Sequence, residues 1–378
     1  MKIYKRIFLP QGFKANGLAS GIKKPKRLDL ALFYSEIPAK ASCLFTLNQI
    51  QSASIKVDKQ QLKRSKIFRT IIVNSGNANC FTGKEGIKDT KRIISELAKI
   101  LKIKKEEILV ASTGIIGKRL KLRKIIDSLP KLVDGLSYSG IDKAKRAILT
   151  TDTFIKEATI EINLNRKIIL SGVAKGAGMI FPNLATMLCF IFTDASLTQR
   201  ALDTALKIAV ENSFNRISVD GCMSTNDTVI ILANGLAGNK IIDKGTKYFD
   251  IFSKALNRLC SILAELIIRD AEGATKFIKI KVKEAKDVDE AKKIAFTIAN
   301  SPLFKSALYG ENPNLGRIVS AIGSTGIKID ERNLKIKMSS LKKKDIYLEI
   351  NLKRGRSSTD VLSCDLSPDY IKINAGYN

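Results

Sequence analysis

The chain has 378 residues, too many for one ordinary core and enough to bury two. Its 65 Lys and Arg against 36 Asp and Glu give a net charge of +29, but the lysines are spread through every segment beside Ile and Asn. They form no Arg-rich, aromatic-interleaved or glycine-hinged patch of the kind that reads bases, so compositional drift accounts for the charge and no specific nucleic-acid partner is expected. The absence of histidine excludes Ser-His-Asp and Cys-His catalysis, and six scattered cysteines with no CxxC pair argue against zinc and for reduced thiols.

At the N-terminus the apolar run Ile7 to Leu9 is too short for a signal sequence, and no later stretch reaches about eighteen apolar residues. No membrane partner is expected, and a cytoplasmic location is. Residues 69–73 read as a short strand ending in the loop NSGNAN, and residues 88–101 carry Ile93, Ile94, Leu97, Ile100 and Leu101 at helical spacing. A second short strand, 108–110, delivers Ser112-Thr113-Gly114 to its end. Residues 120–148 are Lys-rich, punctuated by Pro130 and Gly135, and read as solvated surface helices. The polar cluster Thr150-Thr151-Asp152-Thr153 suits a helix cap or a pocket wall. Residues 158–172 then alternate apolar and polar around a turn at Asn165-Arg166, which predicts a hairpin.

The segment from Lys175 to Ala195, KGAGMIFPNLATMLCFIFTDA, follows. Gly176, Gly178 and Pro182 break helix and strand alike, so an irregular loop runs into Thr186. Met187 to Phe192 is apolar at every position, with Met187, Cys189 and Ile191 on one face and Leu188, Phe190 and Phe192 on the other, which predicts a strand buried on both sides. A loop, a small residue, a threonine and a core strand is the layout of an N-terminal nucleophile protein. In that chemistry the Thr186 hydroxyl cuts the Ala185–Thr186 peptide bond, and the freed α-amino group serves as its general base, with an ordinary pKa of roughly 7.7–8.0.

Residues 194–212 read as a helix, 220–227 as a polar loop and 228–232 as a buried strand. In that loop Asn226 and Asp227 either orient the nucleophile's amine or cap the turn. The longest helix is expected over 249–269, ending near Glu272. Beyond it Ile278, Ile280 and Val282 alternate with lysines as a one-sided strand, a helix follows at 288–299, and strands recur near 334–338 and 346–352. Glu311, Asn314 and Arg317 read as loop residues between them. This alternation predicts a mixed α/β architecture.

Seven segments together carry a resemblance: NSGNANCFTG at 74–83, ASTGIIG at 111–117, LTTDTFIK at 149–156, the KGAGMIFPNLATML segment, VDGCMSTNDT at 219–228, EGATK at 272–276 and GENPNLGR at 310–317. They resemble the ornithine acetyltransferase family of arginine biosynthesis over nearly the whole chain. The resemblance implies an α/β (α+β) fold, an N-terminal-nucleophile-like layered αββα sandwich with a smaller C-terminal α+β unit. It implies cleavage into an alpha chain, 1–185, and a beta chain, 186–378, in which 186–274 complete the main domain and 275–378 form the smaller unit. It further implies Thr186 as nucleophile, Thr113 and Gly114 as the oxyanion hole, and Thr150, Lys175, Thr186, Glu272 and Asn374 as substrate contacts.

The activity implied is transfer of acetyl from N2-acetylornithine to glutamate through acetyl-Thr186. Acetyl-CoA is an alternative donor in bifunctional members of the family, and no residue of this sequence decides between the two types. No metal or bound organic cofactor is implied, and the family assembly is a heterotetramer of two alpha and two beta chains. Two departures stand out. Leu315 replaces an expected tryptophan, and Asn378 occupies the first of the hydroxyl positions that follow Asn-Ala-x-Tyr, so Asn374 carries over and the terminal hydroxyl does not. One lost neutral hydrogen bond costs about 0.5–1.5 kcal/mol. The alternatives are a self-processing aminopeptidase or amidohydrolase of related fold and a non-catalytic basic binding protein.

Overall fold

A computed structural model describes residues 1–181 and 187–376. The chain divides into two units, the first comprising Met1–Gly176, the described residues of 186–213, and Ser224–Leu263, and the second comprising the described residues of 177–185, Phe214–Met223, and the chain from Ala264 onward.

The first unit opens with β1 (Lys2–Tyr4), β2 (Phe13–Leu18), β3 (Leu30–Phe45), α1 (Ala53–Arg64), β4 (Phe68–Asn77), α2 (Gly83–Leu101) and β5 (Ile108–Ile115). It continues with α3 (Leu122–Asp134), α4 (Ile141–Ala147), β6 (Lys156–Asn163), β7 (Lys167–Lys175), β8 (Leu188–Thr193), α5 (Gln199–Glu211), β9 (Thr228–Ala233) and most of α6 (Lys247–Arg269). Nine strands join in the order β1-β6-β7-β8-β9-β3-β4-β5, with β2 also paired to β3.

The long strand β3 creates the layers. Its first half pairs with β2 and β4, its second half with β9, and the register to β4 breaks between Tyr34 and Ala39. The two halves of the sheet therefore face each other. Phe33 lies 5.3 Å from Phe190 and 5.1 Å from Phe192 between ring centres, and Phe13 lies 5.4 Å from Phe192. Val173, Leu188, Ile230 and Leu232 of one half join Ile71, Val73, Leu109 and Ala111 of the other in one core. Outside one half, Leu30, Leu32, Ile72 and Val110 pack with Ile94, Leu97, Ile125 and Leu129 of α2 and α3. Outside the other half, Gly172 sits against Leu259 and Leu263 of α6. The arrangement is the expected αββα layering, a mixed α/β fold.

Strand β8 is buried at all six positions and runs antiparallel to β7 and parallel to β9, as its two-sided apolar pattern predicts. Two expectations change in this unit. Helix α5 begins at Gln199 rather than 194, because Thr198 caps it with its Oγ1 accepting the Ala201 N–H, while Asp194 is occupied accepting the Ile169 N–H. The segment 120–148 is only half solvated, since Ile125, Leu129, Leu132 and even Lys145 are buried while Lys124 and Lys131 are exposed.

The second unit holds the end of α6, then β10 (Phe277–Ala285), α7 (Val288–Ala299), α8 (Pro302–Tyr309), α9 (Leu315–Gly323), β11 (Lys335–Met338), β12 (Asp345–Asn351), β13 (Ser357–Cys364) and α10 (Pro368–Ala375). Its sheet runs β11-β12-β10-β13 over an apolar core that includes Ile278, Ile280, Ile294 and Ile298. Arg317 lies in α9 rather than a loop, with Asn314 just before the helix. No helix among the described residues is long and apolar enough to cross a membrane.

Candidate active site

Strands β4 and β5 run parallel, and their last turns bring Ser75 opposite Thr113 and Gly76 opposite Gly114. Gly114 has a φ of +131°, and a Cβ there would collide with the Gly76–Asn77 backbone. Only glycine lets the two strand ends approach this closely. The pair is braced by Asn74, whose Oδ1 accepts from Ser112 Oγ at 2.7 Å, and by Asn226, whose Nδ2 donates to the carbonyls of Ala78 and Ser112 at 2.7 Å each.

Lys175, the last residue of β7, is buried, and its Nζ donates to Thr113 Oγ1 at 3.3 Å. Because Thr113 accepts there, its own O–H proton remains able to donate. Asp152 anchors the surroundings. Its Oδ1 accepts from Lys156 Nζ at 2.5 Å and the Gly176 N–H at 2.7 Å, and its Oδ2 accepts the Thr150 N–H at 2.8 Å. Both side chains of the Asp152–Lys156 pair have no solvent exposure. Burial raises the Asp152 pKa, but the charges of Lys175 and Lys156 and the Thr150 N–H more than reverse this, holding the carboxyl well below the usual range. Thr150 is thereby fixed by its backbone, with its hydroxyl 3.5 Å from Asp152 Oδ2.

At the head of β8, Asp227 Oδ1 accepts the Met187 N–H at 3.0 Å, and the Thr228 N–H donates to the Met187 carbonyl at 3.1 Å. Asp227 is fully buried, and that burial pushes its carboxyl well above the usual carboxylate range. Ala185 and Thr186, the expected cleavage pair, lie outside the described residues, as does Asn378.

In the second unit, Glu272 Oε2 accepts from Asn374 Nδ2 at 2.9 Å, and the Glu272 N–H donates to the Ala177 carbonyl at 3.0 Å. The same asparagine also donates to the Tyr370 carbonyl, one turn back along α10, at 3.0 Å. Asp220 gathers the Met179 N–H at 2.6 Å, the Ile180 N–H at 3.0 Å and the Tyr370 hydroxyl at 3.2 Å. Thr113, Gly114, Thr150 and Lys175 thus stand in the first unit, and Glu272 and Asn374 stand together in the second. No cluster of His, Cys, Asp or Glu suited to a metal occurs among the described residues.

The model of the ArgJ family matches residues 14–378. The chain belongs to the ArgJ family. It is 43% identical over 397 aligned residues to the arginine biosynthesis bifunctional protein ArgJ of Caldanaerobacter subterraneus, covering 98% of each protein. It is 39% identical over 389 aligned residues to the protein of the same name from Geobacter sulfurreducens, covering 97% of this chain and 99% of that one. Among solved structures, the ornithine acetyltransferase of Mycobacterium tuberculosis in complex with ornithine is 35% identical, with 49% of this chain and 99% of that chain covered at a TM-score of 0.45.

The geometry of this ArgJ-family chain gives residues roles that the sequence does not specify. Asp152 belongs to the polar cluster that suits a helix cap or a pocket wall, but its pairing with Lys156 shows in the sequence only as opposite charges four apart, and nothing local announces complete burial. Lys23 and Asp29, in the loop before β3, carry no motif signal of their own. Asn226 ties the ends of β4 and β5, and Asp227 holds the backbone at the start of β8.

Proposed function

We propose that the chain is a self-processing acetyltransferase of arginine biosynthesis. Thr186 Oγ attacks the Ala185 carbonyl, the peptide bond breaks by way of an ester, and water releases residues 1–185 from residues 186–378. The new α-amine of Thr186 then takes the hydroxyl proton as Oγ attacks the acetyl carbonyl of N2-acetylornithine. Thr113, through its hydroxyl, and Gly114, through its N–H, hold the oxyanion. The amine returns the proton to the leaving nitrogen, ornithine departs, and the amino group of glutamate attacks acetyl-Thr186 in the reverse sequence.

In this scheme Lys175 and Thr150 contact substrate beside the oxyanion hole, and Glu272, with Asn374, holds the side-chain ammonium of ornithine. Acetyl-CoA is a second donor to be assayed, yielding N-acetylglutamate. No metal or bound organic cofactor takes part. The two fragments remain associated, 186–274 completing the main domain and 275–378 forming the smaller subdomain, and assemble as two alpha and two beta chains in the cytoplasm.

The observation that supports this most is the fixed start of β8. Met187, the residue following the expected nucleophile, is held at its N–H by buried Asp227 and at its carbonyl by Thr228. A rigid strand start is what an N-terminal nucleophile needs. Intact mass of the purified protein beside Thr186→Ala tests the first step: wild type is expected as two fragments split before Thr186, and the variant as one chain. Radiolabelled acetyl should then appear on the beta chain and leave only when glutamate is supplied. A wild type that stays whole refutes the scheme.

A further inference from the structure

Lys23 sits on a loop built around the buried carboxylate of Asp29. Ser20 gives Asp29 Oδ1 its N–H at 2.6 Å and its hydroxyl at 2.8 Å, while Gly21, Ile22 and Lys23 give Oδ2 their N–H groups at 3.1, 2.7 and 3.0 Å. Five donors fix the loop around Asp29. The Lys23 stem then runs across Gly76, where a Cβ would stand 2.8 Å from Lys23 Cγ. Gly76 is the register partner of Gly114, so Lys23 passes behind the candidate oxyanion hole.

The ammonium ends on backbone only. Nζ donates to the carbonyl of Leu149, directly before Thr150, at 2.5 Å, and to that of Leu28 at 3.1 Å. An ammonium has three N–H donors, and no third acceptor and no carboxylate in ion-pair range meets Lys23 among the described residues. The charged groups around it are Asp29, Arg27, Lys175 and Asp152. Asp29 and Asp152 attract it without reaching ion-pair distance, and Arg27 and Lys175 repel it. Desolvation by burial is the largest influence and draws the Lys23 pKa down to about 8. A half-buried cation held by two carbonyls, with no carboxylate in ion-pair range among the described residues and a second lysine nearby, suits the carboxylate of an anionic ligand.

We propose that Lys23 is a substrate-binding residue whose ammonium holds the α-carboxylate common to the acetyl donor and the acetyl acceptor. This rests on the acetyl-transfer function proposed above. That carboxylate is the one anionic group the two amino acids share, and it is attached to the carbon bearing the nitrogen from which acetyl leaves or to which it passes. A cation that runs behind the oxyanion hole and reaches the carbonyl before Thr150 is placed to bind it in both half-reactions. Lys175, at the end of β7, donates to Thr113 Oγ1 and contacts substrate beside the oxyanion hole in the same scheme.

Lys23→Met and Lys23→Arg are compared with wild type by intact mass, thermal melting and steady-state kinetics, with N2-acetylornithine as donor and either glutamate or its α-amide as acceptor. The methionine variant is expected to cleave and melt like wild type, to raise KM for donor and glutamate at least tenfold while kcat changes less than threefold, and to lose discrimination against the α-amide. Arginine should restore most of the affinity. The wild-type KM should climb above about pH 8 as Lys23 loses its proton, and that climb should flatten in the arginine variant. Glutamate binding to the Thr186→Ala protein, measured by calorimetry with and without Lys23→Met, separates the two proposals. Binding that depends on Lys23 and on the α-carboxylate sustains this one even if acetyl transfer fails. A methionine variant with unchanged KM, or with undiminished preference for glutamate over the α-amide, overturns it.

Discussion

The carboxylate of Asp227 accepts the N–H of Met187 at 3.0 Å from within a fully buried site. The chain leaving the expected cleavage position is thus tied to the chain entering β9, two residues that lie forty apart in sequence. Asp227→Ala leaves the Met187 N–H buried and unpaired, which costs about 1–3 kcal/mol. Asp227→Asn keeps an acceptor and removes the buried charge. Because burial raises this carboxyl's pKa in the folded state, the wild type is favoured most below the unfolded value near 3.9 and loses stability as pH rises through the folded pKa. Denaturant melts at pH 5 and pH 8 should therefore show the asparagine variant gaining on wild type at the higher pH. A gap that narrows instead would contradict the assignment.

Asp152→Asn is expected to be the most damaging single change near the site. It removes the carboxylate paired with Lys156, which has no solvent exposure, and breaking a buried pair from one side costs about 3–5 kcal/mol. Adding Lys156→Met removes the buried positive charge as well and should recover part of the loss. The Asp152 pKa is depressed in the fold, so its stabilisation is complete above the unfolded value near 3.9 and fades as pH falls toward the folded one. The difference in melting between wild type and Asp152→Asn should shrink on acidification below about pH 4. A constant difference would mean that the carboxylate's charge does not matter.

Thr113→Val removes the hydroxyl that stands 3.3 Å from Lys175 Nζ and nearly preserves volume. Loss of one oxyanion donor lowers kcat by about 10²–10³-fold, with KM little changed, since the oxyanion exists only on the way through the tetrahedral intermediate. Thr113→Ser should recover most of the rate. Single-turnover acetylation of the beta chain, followed by mass, measures this step directly. A raised KM with unaltered kcat would assign Thr113 to ground-state binding.

Elements whose pattern states their burial were legible in the sequence. Met187 to Phe192 reads as a two-faced core strand because every position is apolar, and the helix at Val288–Ala299 has its observed bounds because Asp287 caps it by accepting the Glu290 N–H. The start of α5 was misplaced because both Asp194 and Thr198 are cap-like residues, and only the fold commits Asp194 to Ile169 instead. The folding of one sheet on itself depends on a register break in β3 that no composition marks. The site divides in the same way. The segments that hold Thr113, Gly114 and Lys175 stand out by motif, whereas the complete burial of the Asp152–Lys156 pair and the approach of the Lys23 ammonium to the Leu149 carbonyl arise only from the fold.

Glu272 and Asn374 make the last test, since their assignment distinguishes the two substrates. Asn374 Nδ2 donates to Glu272 Oε2 at 2.9 Å and orients the carboxylate. Glutamate has no side-chain ammonium, so a carboxylate that binds the ornithine side chain affects only the donor half-reaction. Glu272→Gln should raise KM for N2-acetylornithine at least tenfold, the scale of a lost charge-assisted hydrogen bond of about 1.5–3 kcal/mol, while KM for glutamate stays within twofold. Asn374→Ala removes a neutral donor at an exposed position and should raise the donor KM only about two- to tenfold. Ping-pong kinetics with each substrate varied in turn separate these effects. If Glu272→Gln weakens both substrates equally, the carboxylate supports the fold of the second unit and does not read the ornithine side chain.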